Sequence, residues 1–134
     1  RAIDAFQLYI NYYPESEKVA DANDLIDILR RKLERKAFMN AKLYYKTRRY
    51  EAAATTFKNI LTEYPDTEDA EEIYAYIIRS YYFYAVNSVE DKQAERFQEV
   101  MEAYELFVKR YPDSMYLDDV ADYYKEAQQM LQQT

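Results

Sequence analysis

The segment from Tyr50 to Thr67, YEAAATTFKNILTEYPDT, contains both a helix and the signal that ends it. Its apolar residues recur at steps of three and four: Tyr50, Ala53, Phe57, Ile60 and Leu61. This spacing places them on one face of an amphipathic α-helix. Pro65 has no amide hydrogen and disfavours helical backbone angles at Tyr64, so the helix is predicted to end at this tyrosine–proline pair.

The same arrangement occurs at all three prolines of the chain, each of which follows a tyrosine: Pro14, Pro65 and Pro112. Counted back from Pro112, the equivalent apolar residues are Phe97, Val100, Tyr104, Phe107 and Val108. Counted back from Pro14, they are Ala2, Phe6, Tyr9 and Ile10. The chain has no glycine, so the usual turn residues of β-hairpins are missing. We therefore predict an all-α protein built from helical repeats.

A hydroxyl residue stands two positions after each proline: Ser16, Thr67 and Ser114. Such side chains accept hydrogen bonds from the first free amides of a helix, and acidic residues in the first turn interact favourably with the helix dipole. Glu68 and Asp69 directly follow Thr67. We predict that the motif ends one helix and starts the next, and that its role is structural.

The helix before Tyr50 is predicted to pack against the following helix as an αα-hairpin. Small and aromatic residues recur across this hairpin in an order that ends at a proline: Ala41, Tyr44, Tyr50, Ala53, Phe57 and Pro65. The order resembles the tetratricopeptide repeat, which implies a superhelix (solenoid) of stacked αα-hairpins. The prolines are 51 and 47 residues apart, whereas this repeat usually takes about 34 residues.

The extra residues predict one elongated helix over 17–47 and one inserted loop at about 87–96. We interpret residues 1–134 as a single tetratricopeptide-repeat domain in four parts. These are the second helix of a repeat (1–13), a repeat with a long first helix (17–64), a repeat with the inserted loop (67–111) and a trailing helix (115–132). Because Arg1 is followed at once by an amphipathic pattern without a start signal, we expect the sequence to begin within a helix of a longer protein.

Three segments make the resemblance to tetratricopeptide-repeat proteins more specific: LERKAFMNAKLYYKTRRYEAAATTFKNILTEYPDT from Leu33, YAVNS from Tyr84, and AYELFVKRYPDS from Ala103. Together they resemble the C-terminal half of the BamD family, the tetratricopeptide lipoproteins of the outer-membrane β-barrel assembly machinery. The resemblance implies a periplasmic scaffold of a Gram-negative bacterium, held to the outer membrane by an N-terminal lipid. It also implies partners, namely the POTRA region of BamA and other subunits of the machinery, and a role in the insertion of outer-membrane proteins.

Composition argues against other classes of function. The net charge of −7 disfavours nucleic acid as a partner, and no apolar run approaches the roughly 20 residues of a membrane span. The chain has no histidine and no cysteine, and without glycine it has no phosphate-binding loop. Adjacent acids such as Glu71 and Glu72 point in different directions on a helix. We therefore expect no enzymatic activity, no cofactor and no metal.

The segment IYAYIIRSYYFYAVNS, residues 73–88, is apolar around more than half of its helical circumference. Its tyrosines either complete the core or form a partner surface, where tyrosine and arginine are enriched. Arg79 is rarely buried unpaired in such a run. The candidate partner-binding residues are Arg79, Tyr82, Tyr84 and Asn87. Asn87 and Ser88 are also expected to close the helix end.

Two further points stay open at the level of sequence. The basic residues Arg30, Arg31, Lys32, Arg35 and Lys36 serve either an acidic partner or anionic lipid, or they form the polar side of a long helix. The alternatives to an assembly scaffold are another periplasmic tetratricopeptide adaptor, of envelope division or peptidoglycan synthesis, and a glycan-binding tetratricopeptide lipoprotein.

Overall fold

The computed structural model describes residues 2–12 and 17–133, and within them all regular structure is helical. The helices are α1 (Ala2–Tyr12), α2 (Glu17–Lys46), α3 (Tyr50–Glu63), α4 (Ala70–Val86), α5 (Glu90–Arg110) and α6 (Leu117–Gln132). The predicted all-α class, with tetratricopeptide-like helical repeats, is confirmed. The elongated helix expected over 17–47 is α2, which has 30 residues.

The chain divides into two compact units, Arg1–Ala37 and Phe38–Thr134. In the first unit, Ala22 and Ile26 are buried. The basic side chains of α2 in this unit are exposed, as the polar side of a helix requires: Arg30, Arg31, Lys32, Arg35 and Lys36. The second unit contains the end of α2 and all later helices, and it holds the main core.

In the second unit, α4 is the central helix and packs against α3, α5 and α6. The largest fully buried hydrophobic side chains are Phe57, Ile60, Ile73, Ile78, Val100, Phe107 and Val120. Ala41 and Ala53 are also fully buried, which lets the helix backbones approach closely, while Tyr44 and Tyr50 are half-buried. The stripes counted back from the two later prolines form the inward faces of α3 and α5 and supply six of the buried hydrophobic residues, and α4 supplies six more.

The two described tyrosine–proline pairs end their helices with nearly the same geometry. The amides of Tyr64 and Tyr111 each donate to the carbonyl four residues earlier, at 2.8 Å in both cases. Their φ and ψ angles are −127° and 68° at Tyr64, and −135° and 66° at Tyr111. The third pair, at Pro14, lies outside the described residues. The geometry of these two helix ends is thus determined locally, by the proline that follows each tyrosine.

The predicted caps are displaced by a short turn. The hydroxyl of Thr67 accepts from the amide of Asp69 and that of Ser114 accepts from the amide of Tyr116, both at 3.2 Å. However, Asp69 and Tyr116 are themselves the N-cap residues, and neither cap has a side-chain hydrogen bond. The hydroxyls therefore close the turn before each helix, and the prediction that they cap its first amides was wrong. Ser16, the third predicted cap, lies outside the described residues.

The predicted inserted loop at 87–96 is wrong. Helix α5 begins at Glu90, so only residues 87–89 separate it from α4, and the extra residues lengthen α5 to 21 residues. The reason is that the segment EDKQAER is rich in good helix formers and has two acids in the first turn, where the helix dipole favours them. The end of α4 is closed as expected, because the Asn87 side-chain amide donates to the Phe83 carbonyl at 2.8 Å and the Ser88 hydroxyl donates to the Tyr84 carbonyl.

Candidate functional site

A band of aromatic side chains crosses α2, α4 and α6 on one side of the second unit. Tyr76, Arg79 and Phe83 lie three and four residues apart along α4 and therefore share a face. Tyr45 of α2 contacts Tyr76 and Phe83, with ring centroids 5.2 and 6.4 Å apart. Tyr123 of α6 contacts Phe83 at 5.7 Å. The aromatic band is defined by six half-buried residues: Phe38, Tyr45, Tyr76, Tyr82, Phe83 and Tyr123.

Buried core residues pack against rings of the aromatic band and hold them in place. The ring of Tyr76 stacks on the fully buried Phe57, with centroids 4.8 Å apart and an angle of 9° between the rings. Tyr82 makes an edge contact with buried Phe97 at 6.2 Å. Aromatic pairs of this kind contribute about 0.5–1.5 kcal/mol each beyond their buried area. The exposed parts of the rings are therefore fixed before any partner arrives.

Two cations rest on the band. The guanidinium carbon of Arg79 lies 5.4 Å from the centre of the Tyr76 ring, and the Lys42 ammonium lies 4.8 Å from that of Phe38. Such cation–π contacts orient a charged group without neutralising it. Arg79 is half-buried, so its guanidinium is held against the ring and still reaches the surface.

Acidic residues gather at one end of the band, near Tyr116. The carboxylate of Glu72 is the main cause that raises the pKa of Tyr116, followed by desolvation and by the charges of Glu71 and Asp119. The charge of Arg79 acts in the opposite direction. The band therefore carries positive charge at its centre and negative charge at this edge.

Two phenols of the band, those of Tyr45 and Tyr82, stay protonated at neutral pH. Burial, with smaller contributions from neighbouring tyrosines, raises the pKa of Tyr45 to about 12. Burial and a hydrogen bond to Glu126 raise the pKa of Tyr82 to about 12 as well. These groups are suited to donate hydrogen bonds and poorly suited to act as general bases.

The four predicted partner-binding residues do not form one site. Arg79 and Tyr82 lie at the band, where the Tyr82 hydroxyl donates to the Glu126 carboxylate of α6. Tyr84 is five residues from Arg79, about 140° around the helix. Its hydroxyl donates to the Glu51 carboxylate of α3, and Asn87 closes the helix end as described above.

Five residues of the band were not predicted from the sequence as site candidates: Phe38, Tyr45, Tyr76, Phe83 and Tyr123. A signal was present, since aromatic residues seven positions apart recur at the same helices: Phe38 and Tyr45, Tyr76 and Phe83, Tyr116 and Tyr123. A spacing of seven keeps two side chains on one helical face. The pattern was hidden because the chain has 17 tyrosines, of which four belong to the band.

The site offers aromatic surface, phenol donors and fixed cations. Among residues 2–12 and 17–133, no group of three or more acidic, histidine or cysteine side chains is placed to hold a metal ion. The same described ranges contain no helix with the length and apolar character needed to cross a membrane. What the arrangement can do is bind another molecule through stacking, hydrogen bonds and charge.

Comparison with known proteins identifies the family. None of the curated proteins compared matches the chain. The family model YfiO, described as outer membrane lipoprotein, matches residues 1–97. This range covers more than half of the chain and includes α1 to α4, which carry most of the aromatic band. The chain therefore belongs to the YfiO family of outer membrane lipoproteins.

Proposed function

We propose that this chain is a non-catalytic scaffold of the outer-membrane β-barrel assembly machinery, corresponding to the C-terminal half of BamD. In this proposal it works at the periplasmic face of the outer membrane, where it binds the POTRA region of BamA and supports the insertion of outer-membrane proteins. The family match over residues 1–97 supports the envelope setting. The resemblance of the three segments quoted above supports the assignment within the family.

The observation that carries a binding role is the aromatic band with Arg79 at its centre. Aromatic residues and arginine are enriched at the energetic centres of protein interfaces, and lysine and glutamate are depleted there. In the band, three rings pack on buried Phe57 or Phe97 and the other three contact these rings, so little side-chain entropy is lost when a partner covers them. A folded domain with an apolar edge and a carboxylate fits this surface, because guanidinium binds carboxylate in a planar, two-pronged geometry.

The test is binding of the intact parent protein to the purified periplasmic POTRA region of BamA. Arg79→Glu reverses the charge at the centre of the band, and we expect at least a tenfold weaker Kd, in the range of an interface hot spot of about 2 kcal/mol. Lys125→Glu is the matched control, because Lys125 is an exposed cation on α6 and its reversal changes the net charge equally. Equal affinity of the wild type and Arg79→Glu would exclude the band as the docking surface.

A glycan-binding lipoprotein is the second candidate, and the band is the observation that favours it. Half-exposed rings provide flat faces for sugar rings, and the protonated phenol of Tyr45 is a hydrogen-bond donor. Calorimetric titration with oligosaccharides separates the two proposals. Saturable heat that is lost in Tyr76→Ala, together with no POTRA binding, would favour the glycan.

A further inference from the structure

A furrow lies on a different side of α4 from the aromatic band, between α3 and α5. The end of the furrow near Leu106 is a cavity of about 390 Å³. The floor and walls there are largely apolar and include Leu61, Ile77 and Leu106. Leu106 is 42% exposed although it faces this apolar space. The surface is therefore an apolar one that this unit leaves open.

A second cavity of about 370 Å³ continues the furrow along the same helices. Both cavities are lined by Lys58, Tyr81 and Glu99, which therefore lie at the junction between them. Along α5 the lining extends from Lys92 to Leu106. At about 1.5 Å per residue this is about 21 Å, which matches four turns of a docked helix.

The α5 wall of the furrow is acidic. Three glutamates of α5 line the furrow from the same face, at steps of four and three residues: Glu95, Glu99 and Glu102. Burial is the largest cause that raises the pKa of Glu99, and the charges of Glu95 and Glu102 add to the rise, whereas Lys58 and Arg96 oppose it. A positive charge added at this wall lowers the mutual repulsion of the glutamates and favours their charged form.

Two of the three cations that line the furrow, Lys58 and Arg96, are engaged with the chain itself, and the third is the exposed Lys92. A hydrogen bond to Tyr81 is the main cause that raises the pKa of Lys58, whose ammonium lies 5.8 Å from the centre of that ring. Arg96 lies 4.2 Å from the centre of the Tyr84 ring and donates to the Ser88 hydroxyl at 2.6 Å. Four glutamates line the two cavities against these three cations, so the lining carries a net charge of −1.

We propose that the furrow receives a basic amphipathic helix of a partner protein, about 14 residues long. Its apolar side chains lie against Leu61, Ile77 and Leu106, and its lysines or arginines lie against the three glutamates of α5. The combination of an open apolar floor with one acidic wall specifies this occupant through charge complementarity. Because the furrow and the aromatic band lie on different sides of α4, the two surfaces can be occupied at the same time.

The probe is a synthetic helical peptide of about 15 residues, with leucines on one face and three lysines spaced as the glutamates are. Binding of the labelled peptide to the full chain is measured by fluorescence anisotropy. Two control peptides are a scrambled sequence of the same composition and a version with glutamate in place of lysine. We expect saturable binding of the amphipathic basic peptide alone. Equal binding of the scrambled peptide, or tighter binding of the acidic one, would overturn the proposal.

Protein variants locate the binding. The double variant Glu99→Gln/Glu102→Gln is expected to weaken peptide binding about fivefold, because two ion pairs at the wall are lost. Its matched control is Glu68→Gln/Asp122→Asn, which removes the same charge at two exposed positions outside the furrow. Leu106→Ala is expected to weaken binding, whereas Leu43→Ala, an exposed leucine on α2, is not.

The variants also keep this proposal separate from the assembly role. Arg79→Glu leaves the furrow intact and is expected to bind the peptide like the wild type. Circular dichroism and thermal unfolding verify that each variant is folded. Unchanged peptide affinity in both Glu99→Gln/Glu102→Gln and Leu106→Ala would refute the proposal that the furrow binds a basic helix, whatever the result with the POTRA region.

Discussion

Ser80 is expected to destabilise the protein, and replacing it with alanine is expected to increase stability. The side chain lies in α4, is 0% exposed and has no hydrogen-bond partner for its hydroxyl, alone among the buried polar side chains that the structure describes. Thr56 shows the usual solution, because its hydroxyl donates to the Ala52 carbonyl at 2.7 Å. A buried hydroxyl without a partner costs about 1–3 kcal/mol.

The magnitude of the Ser80→Ala effect follows from two contributions. Removing the hydroxyl relieves its desolvation, and alanine adds up to about 0.5 kcal/mol of helix propensity. The volume lost is one oxygen atom, so the cavity term is small. We expect a gain of about 1–2 kcal/mol in the free energy of unfolding. For a unit of this size, each kcal/mol raises Tm by about 4–8 °C.

The assay is urea and thermal unfolding of the full chain, followed by circular dichroism. Ser88→Ala is the matched control, because the Ser88 hydroxyl is bonded to the Tyr84 carbonyl and accepts from Arg96. That change is expected to lower stability by about 1 kcal/mol. A lower Tm in Ser80→Ala than in the wild type would show that the Ser80 hydroxyl has a bonding partner, and the reasoning would fail.

Two further predictions concern the core and the phenols. Phe107→Ala is expected to lower the free energy of unfolding by about 3–5 kcal/mol, because the ring is fully buried. Leu106→Ala, at the exposed neighbouring position, is expected to lower it by less than about 1 kcal/mol. Urea unfolding measures both. The raised pKa values of Tyr45 and Tyr82, about 12 in the folded protein against 10.0, mean that the folded state holds these protons more tightly. Stability is therefore expected to be constant up to about pH 9 and to fall as pH rises from about 10 to 12. Urea midpoints that stay constant up to pH 12 would contradict this expectation.

The helix ends show how far local sequence determines the structure. Tyr64 and Tyr111 end their helices as predicted, because proline at the next position restricts the backbone whatever the neighbouring helices do. The error at residues 87–96 has a related cause. Local propensity there favours a helix, whereas the repeat length by itself predicted a loop.

The amino-acid sequence by itself determined the helical class, the repeat and the inward stripes, since these depend on periodicity and on proline within a few residues. Only the tertiary structure decided what the individual tyrosines do. Tyr82 and Tyr84 are two positions apart on one helix, yet their hydroxyls donate to Glu126 and Glu51, 44 and 33 residues away in the chain. Partners at such distances are set by which helices become neighbours on packing, and helical spacing alone does not contain that information.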